Sequence, residues 1–200
     1  MQLGEDTITM SMTLNPVNEA AFQKAVQSLE TLNRAAVFHP TGTGKSCIAW
    51  KVVEAHPQTT FFWLVAGAQR LALRQAELTR YNGGILPGNV RFCDCEKLAA
   101  ATPEQWVRLG EQKPGCIVLD CYHELSAVCW AQSVQKLLRM CPQAKVLGLG
   151  VPNGAPVCAA AQELFADCIV SHMTVAEAMA AGTMLVPSAY AALLWPQEEE

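Results

Sequence analysis

Eight residues, His39-Pro40-Thr41-Gly42-Thr43-Gly44-Lys45-Ser46, restrict what this chain can fold into more than any other stretch. The apolar run Ala35-Ala36-Val37-Phe38 precedes them, and helix-compatible residues from Cys47 to Glu54 follow. Strand, glycine-rich loop and helix in that order form a phosphate cradle, because N–H groups of the loop and of the helix N-terminus converge on an anion. Gly42 and Gly44 let the backbone curl without a Cβ clash. The pattern assigns phosphate binding to Thr41, Gly42, Thr43, Gly44, Lys45 and Ser46. Lys45 reaches the outer phosphates and the Ser46 hydroxyl ligates Mg²⁺. Its first position asks for Gly or Ala and holds His39 here. A turn that merely precedes a helix is the competing reading, and the flanking strand and helix weigh against it.

Around this loop, strand and helix signals alternate. Asn15-Pro16 marks a helix start, and Phe22, Val26, Leu29 and Leu32 recur at helical spacing to about Asn33. Strands are expected at 34–38, 60–65, 89–93, 116–120 and 145–149, with a short one at 167–170. Helices are expected at 45–55, 68–80, from Thr102-Pro103 to Gly110, at about 124–140, at 155–162 and from Thr174 to Gly182. Thr102 with Gln105, and Thr174 with Glu177, have the form of capping boxes. Arg70, Arg74, Glu77 and Arg80 fall on the polar side of the 68–80 helix. Runs such as Phe61-Phe62-Trp63-Leu64-Val65 suit strands buried on both faces. The chain is therefore expected to be α/β, a three-layer P-loop NTPase (RecA-like) parallel sheet with helices on both faces. Right-handed crossovers place the strand C-termini along one edge, where ligands bind. The organisation is an N-terminal arm at 1–14, one lobe at 15–190 and an acidic tail at 191–200.

With 51% apolar residues and 16% charged residues in 200, a large core is available and disorder is excluded. A net charge of −4 gives no global attraction to nucleic acid or acidic lipid. The nine cysteines lack any Cys-x-x-Cys pair, and the N-terminus lacks the basic and apolar regions of a signal peptide. Both point to a reducing, cytoplasmic setting with buried thiols, and no apolar run is long enough to span a bilayer.

Cys116-Ile117-Val118-Leu119-Asp120 ends in a carboxylate. A strand-terminal Asp opposite a phosphate loop is placed to hold Mg²⁺ from the other side of Ser46. Alone, such an Asp more commonly ends a strand–helix turn; the upstream loop favours the metal.

The order of these segments resembles the N-terminal ATP-binding lobe of superfamily-two DEAD/DEAH-type helicases, including relatives found in restriction enzymes. His39–Ser46 resembles motif I. Leu64-Val65-Ala66-Gly67 with Gln75 resembles motif Ia, and Cys95-Glu96-Lys97-Leu98 falls where motif Ib lies. Asp120-Cys121-Tyr122-His123 is similar to the Asp-Glu-x-His box, and Leu147 to Pro152 sits where motif III belongs. Glu163 to Tyr190 is similar to the stretch that closes this lobe in some bacterial members, so the resemblance covers about 18–190. It implies ATP and Mg²⁺ as cofactors, Lys45 and Asp120 as catalytic groups, and single-stranded nucleic acid as a partner, with DNA favoured over RNA. It also implies a second helicase lobe, supplied in trans, that brings the arginine finger and closes over the nucleotide.

The departures carry equal weight. Cys121 replaces the Glu that activates water, and a neutral thiol is a poor base; losing such a base costs about 10²–10⁴ in rate. Glu124, three residues on, is the candidate replacement. Gly150 and Val151 replace the hydroxyl residues of motif III. The expectation is ATP binding with weak or partner-dependent hydrolysis. The alternative is a non-catalytic module that regulates a partner. Arg70, Arg74 and Arg80 read as a solvated helix face, or else as a nucleic-acid contact. Gln23 reads as a surface residue or else as an adenine reader, and the five tryptophans read as core or interface.

Overall fold

The computed structural model of the protein describes residues 12–120, 128–152 and 163–184. Residues 1–11 of the expected arm, Cys121 to Ala127 (with Tyr122, His123 and Glu124), the helix expected at 155–162 and the tail lie outside the described residues.

Six strands form one sheet: β1 (Arg34–Phe38), β2 (Phe61–Val65), β3 (Val90–Asp94), β4 (Cys116–Asp120), β5 (Lys145–Gly150) and β6 (Ile169–His172). Their order is β3-β2-β4-β5-β1-β6, and every pairing is parallel. The helices are α1 (Pro16–Thr31), α2 (Lys45–Ala55), α3 (Ala68–Tyr81), α4 (Cys95–Ala99), α5 (Pro103–Glu111), α6 (Val128–Met140) and α7 (Val175–Ala180). The expected α/β architecture is thus the observed one.

The apolar runs form strands because both faces of each are covered. Phe61, Trp63 and Val65 join one core with Ala21, Ala25 and Leu29 of α1, Ile48 and Val52 of α2, and Leu78 of α3. Phe62 and Leu64 join a second core with Trp106, Val134, Leu137 and Phe165. Trp50, Trp63 and Trp106 are buried, as core tryptophans should be. Cys93, Cys95, Cys116 and Cys141 are buried too, and burial pushes the Cys93 and Cys116 thiols up to about 12.

Several boundaries differ from expectation for physical reasons. The buried face of α1 is Asn18, Ala21, Ala25, Ser28 and Leu29, whereas Leu32 is exposed. Small side chains let α1 lie close to α2 and β1, so Phe22 and Val26 flank the contact. Gly110 does not end α5. The helix continues through Glu111, and a Cβ at Gly110 would stand 2.9 Å from the Met140 methyl. The turn is made at Lys113, with φ +42°. The 167–170 strand sits two residues later as β6, at the sheet edge beside β1. Helix α4 was not expected; Asp94 caps it by accepting from the Glu96 N–H at 3.0 Å. Both capping boxes are present, at Thr102–Gln105 and Thr174–Glu177.

Strand β5 runs between β1 and β4. Neighbouring strands lie about 4.8 Å apart, so the ends of β1 and β4 stand about 10 Å apart on one edge. Phe38 aligns with Gly150, and Asp120 with Leu149. The glycine-rich loop and Asp120 therefore flank the end of β5.

Candidate functional site

The loop leaves β1 at His39, whose N–H donates to the Gly150 carbonyl at 3.2 Å. His39 is fully buried, and its Nε2 lies 2.7 Å from Ser171 Oγ of β6. Its Nδ1 is buried without a hydrogen-bond partner. Burial first, then the charges of Lys45 and His172, pull the imidazole down to about 4. A neutral ring with its proton on Nε2 donates to Ser171 and leaves only an acceptor lone pair unpaired.

Gly42 and Gly44 sit at φ +85° and +86°, the left-handed region in which a side chain is strained. Gly44 is the residue before α2 and offers no side chain to cap it. The Gly44 carbonyl accepts from the Cys47 and Ile48 N–H groups at 2.9 and 3.3 Å, so the N-terminal end of α2 opens directly beside the loop. Lys45 folds over the loop, and its Nζ donates to the carbonyls of His39 (2.7 Å) and Pro40 (2.8 Å). Thr43 turns inward, its Oγ1 donating to the Pro40 carbonyl at 2.8 Å. From α1, Asn18 Nδ2 donates to the Thr43 carbonyl at 2.8 Å, which fixes the loop from behind. Asn18 Oδ1 is a second buried polar atom without a partner.

Thr41, Gly42, Gly44, Lys45, Ser46 and Asp120 line one cleft of about 510 Å³, together with Arg70, Leu73, Arg74, Glu77, Tyr81 and Val151. That volume is within the usual range for small-molecule sites. Of the residues expected to bind phosphate, Thr43 alone is not in the cleft; it faces a smaller hollow beside Asn18. Glu124 lies outside the described residues.

The far wall is α3, and here the structure departs most from expectation. Arg74 is not on a solvated face. Its Nε donates to Asp120 Oδ2 at 2.6 Å, and its Nη1 pairs with Glu77. The Trp63 indole donates to the same Asp120 oxygen at 3.2 Å. Burial lowers the Arg74 pKa, but Asp120 and then Glu77 more than offset this, so it lies above its ordinary value. Asp120, expected to hold Mg²⁺, is engaged in a buried ion pair. The residues as arranged do not fit a divalent cation at that carboxylate. Among the described residues no group of three His, Cys, Asp or Glu converges as a metal site.

Two further groups position the cleft. Asp94 Oδ1 accepts from the Gly67 N–H at 3.3 Å and so ties the start of α3 to β3. Tyr81 Oη lies 3.5 Å from Cys47 Sγ, and Arg80 stacks over the Tyr81 ring at 5.1 Å. Gln23 is exposed and donates to Glu19, as a surface residue would. Sequence reasoning missed Asn18 and the pairing of Arg74. The signal for both was a polar residue inside an apolar stripe: Asn18 with Ala21, Ala25 and Leu29, and Arg74 between Leu71 and Leu78.

No protein-family model matches the chain, and no curated protein matches it. Solved structures do. A hypothetical ATP-dependent RNA helicase from Sulfolobus tokodaii superposes with a TM-score of 0.54 at 12% identity, over 77% of this chain and 51% of that one. The ATP-dependent Type ISP restriction-modification enzyme LlaBIII, bound to DNA, gives 0.50 at 14% identity, over 70% of this chain and 13% of that one. Domain III of the Thermotoga maritima replication initiation protein DnaA gives 0.49 at 11% identity, over 87% and 69%. The chain thus spans about half of the helicase and a small part of the restriction enzyme. The fold is that of the P-loop NTPases.

Proposed function

We propose that the chain is the ATP-binding lobe of a helicase-like protein, with its triphosphate site in the cleft between the glycine-rich loop and α3. One observation carries the reading. The α2 N-terminus opens at Gly44 without a side-chain cap, with the Lys45 ammonium folded over the same loop. A helix N-terminus, its dipole and a neighbouring cation are what a polyphosphate requires. Thr41, Gly42, Gly44 and Ser46 supply the cradle, and Lys45 meets the outer phosphates. Thr43 acts from behind, by holding the loop to Pro40 and, through its carbonyl, to Asn18.

Within this reading the lobe resides in the cytoplasm and associates with single-stranded nucleic acid, DNA before RNA. A second lobe in trans closes the site. Lys45 and, once parted from Arg74, Asp120 are its catalytic groups, with Glu124 as replacement base. Turnover is weak or partner-dependent, because a thiol at 121 stands where the family has a base.

The second reading is a non-catalytic module that regulates a partner, and the Arg74–Asp120 pair favours it. A carboxylate already neutralised by a guanidinium is withdrawn from the chemistry that the family assigns to it. The two readings separate when ATP binding and hydrolysis are measured side by side, with and without single-stranded DNA. The lobe reading expects binding, with turnover that is negligible alone and rises with DNA or when Cys121→Glu restores a base. Binding with no turnover under any of these conditions selects the regulatory module. Absence of binding rejects the ATP-binding lobe and leaves only a module that regulates its partner through its surface.

A further inference from the structure

We propose that Arg74 takes the place of the divalent cation at Asp120, so that the cleft receives a nucleoside triphosphate free of metal. The inference rests on the nucleotide reading of the cleft and names the ionic form of its ligand.

The case is electrostatic and geometric. The Asp120 side chain is 4% exposed, and its Oδ2 already accepts from Arg74 Nε at 2.6 Å and from Trp63 Nε1 at 3.2 Å. A guanidinium keeps its charge at any working pH, so the pair does not open by deprotonation. Glu77 holds the other side of the same guanidinium, and the Arg74 side chain is itself only 19% exposed. Magnesium dehydrates reluctantly and demands near-octahedral oxygen ligands. To use Asp120 it would have to displace a cation anchored by two carboxylates.

The cleft offers other positive charge to an anion. Among the described residues that line it, Lys45, Arg70 and Arg74 stand against Glu77 and Asp120, three cations to two carboxylates, although the whole chain carries −4. A metal-free triphosphate is more anionic than its magnesium complex and gains more from that excess. Arg74 thus does on α3 what the metal does elsewhere: it screens Asp120 from the phosphates.

The test is a titration of the protein with a fluorescent ATP analogue in EDTA and again in excess Mg²⁺. Wild type is expected to bind in EDTA at least as tightly as in Mg²⁺. Arg74→Ala exposes the phosphates to Asp120, so binding in EDTA weakens by about tenfold or more, and Mg²⁺ restores it. Arg74→Ala leaves a buried carboxylate unpaired and can fail to fold, so Asp120→Asn is measured beside it. That variant removes the repulsion and releases Arg74 toward the ligand, and binding in EDTA tightens by about threefold or more. Wild-type binding in Mg²⁺ but not in EDTA overturns the inference and leaves the nucleotide site standing. So does an Asp120→Asn variant that binds more weakly than wild type in both buffers. No wild-type binding in either buffer overturns the site and the inference together.

Discussion

Asn18 holds the Thr43 carbonyl across a buried 2.8 Å hydrogen bond, and its Nδ2 would meet a Cβ on Gly44 at 2.9 Å. One amide thus sets both the loop's position and the room it has. Asn18→Ala leaves a buried carbonyl unpaired, and a loss of about 1–3 kcal/mol is expected in thermal or urea denaturation. Nucleotide affinity should fall with it. His39 makes a second prediction. Its ordinary value is 6.5 and its value in the fold is about 4. The folded protein holds the ring neutral while the unfolded chain protonates it. The stability this contributes is complete above pH 6.5 and drains away as the pH falls toward 4. The urea midpoint of wild type should drop through that window, and His39→Ala should flatten the slope whatever its effect at neutral pH. The loop itself was legible as sequence because its residues are contiguous. Asn18 and Arg74 were not, because each acts on a residue far along the chain. For Arg74 the partner Asp120 is forty-six positions away. The charged residues of α3 suggest a solvated polar face, but Leu78 is buried and Leu71 packs against the same core on the other side of Arg74, which places that side chain inward instead.

Among the elements, β5 shows how a single atom sets packing. A Cβ on Gly148 would lie 2.8 Å from two carbons of the Phe165 ring, which covers the centre of the sheet. Gly148→Ala should therefore cost about 1–3 kcal/mol by overpacking, and Phe165→Leu in the same chain should recover part of it. Urea denaturation of the two single variants and the double variant gives the coupling directly. Strand identity was readable from runs of apolar residues, and both capping boxes from their spacing. Strand neighbours were not readable. Nothing in chain order says that β5 inserts between β1 and β4, since that depends on which crossovers pack. Gly110 misled for a related reason. Glycine commonly ends helices, but here its missing side chain makes room for Met140 of α6.

For the whole molecule, the parallel sheet brings the loop after β1, the end of β4 and the end of β5 to one edge, and α3 roofs them. On the proposed reading this edge binds the nucleotide, and turnover depends on a base after Asp120 and on a second lobe. ATP hydrolysis by wild type should be negligible, and Cys121→Glu should raise it by about 10²-fold or more if water activation is what is missing. A phosphate-release assay checks this, and unchanged rates would place the deficit elsewhere, with Arg74 on Asp120 the next group to alter. The central claim, that the loop at 39–46 holds a nucleotide, is tested most directly by titrating wild type and Lys45→Ala with a fluorescent ATP analogue. Lys45 contributes charge-assisted hydrogen bonds to the phosphates in this account, so its removal should weaken binding by about tenfold or more. Equal affinity of the two proteins would contradict it.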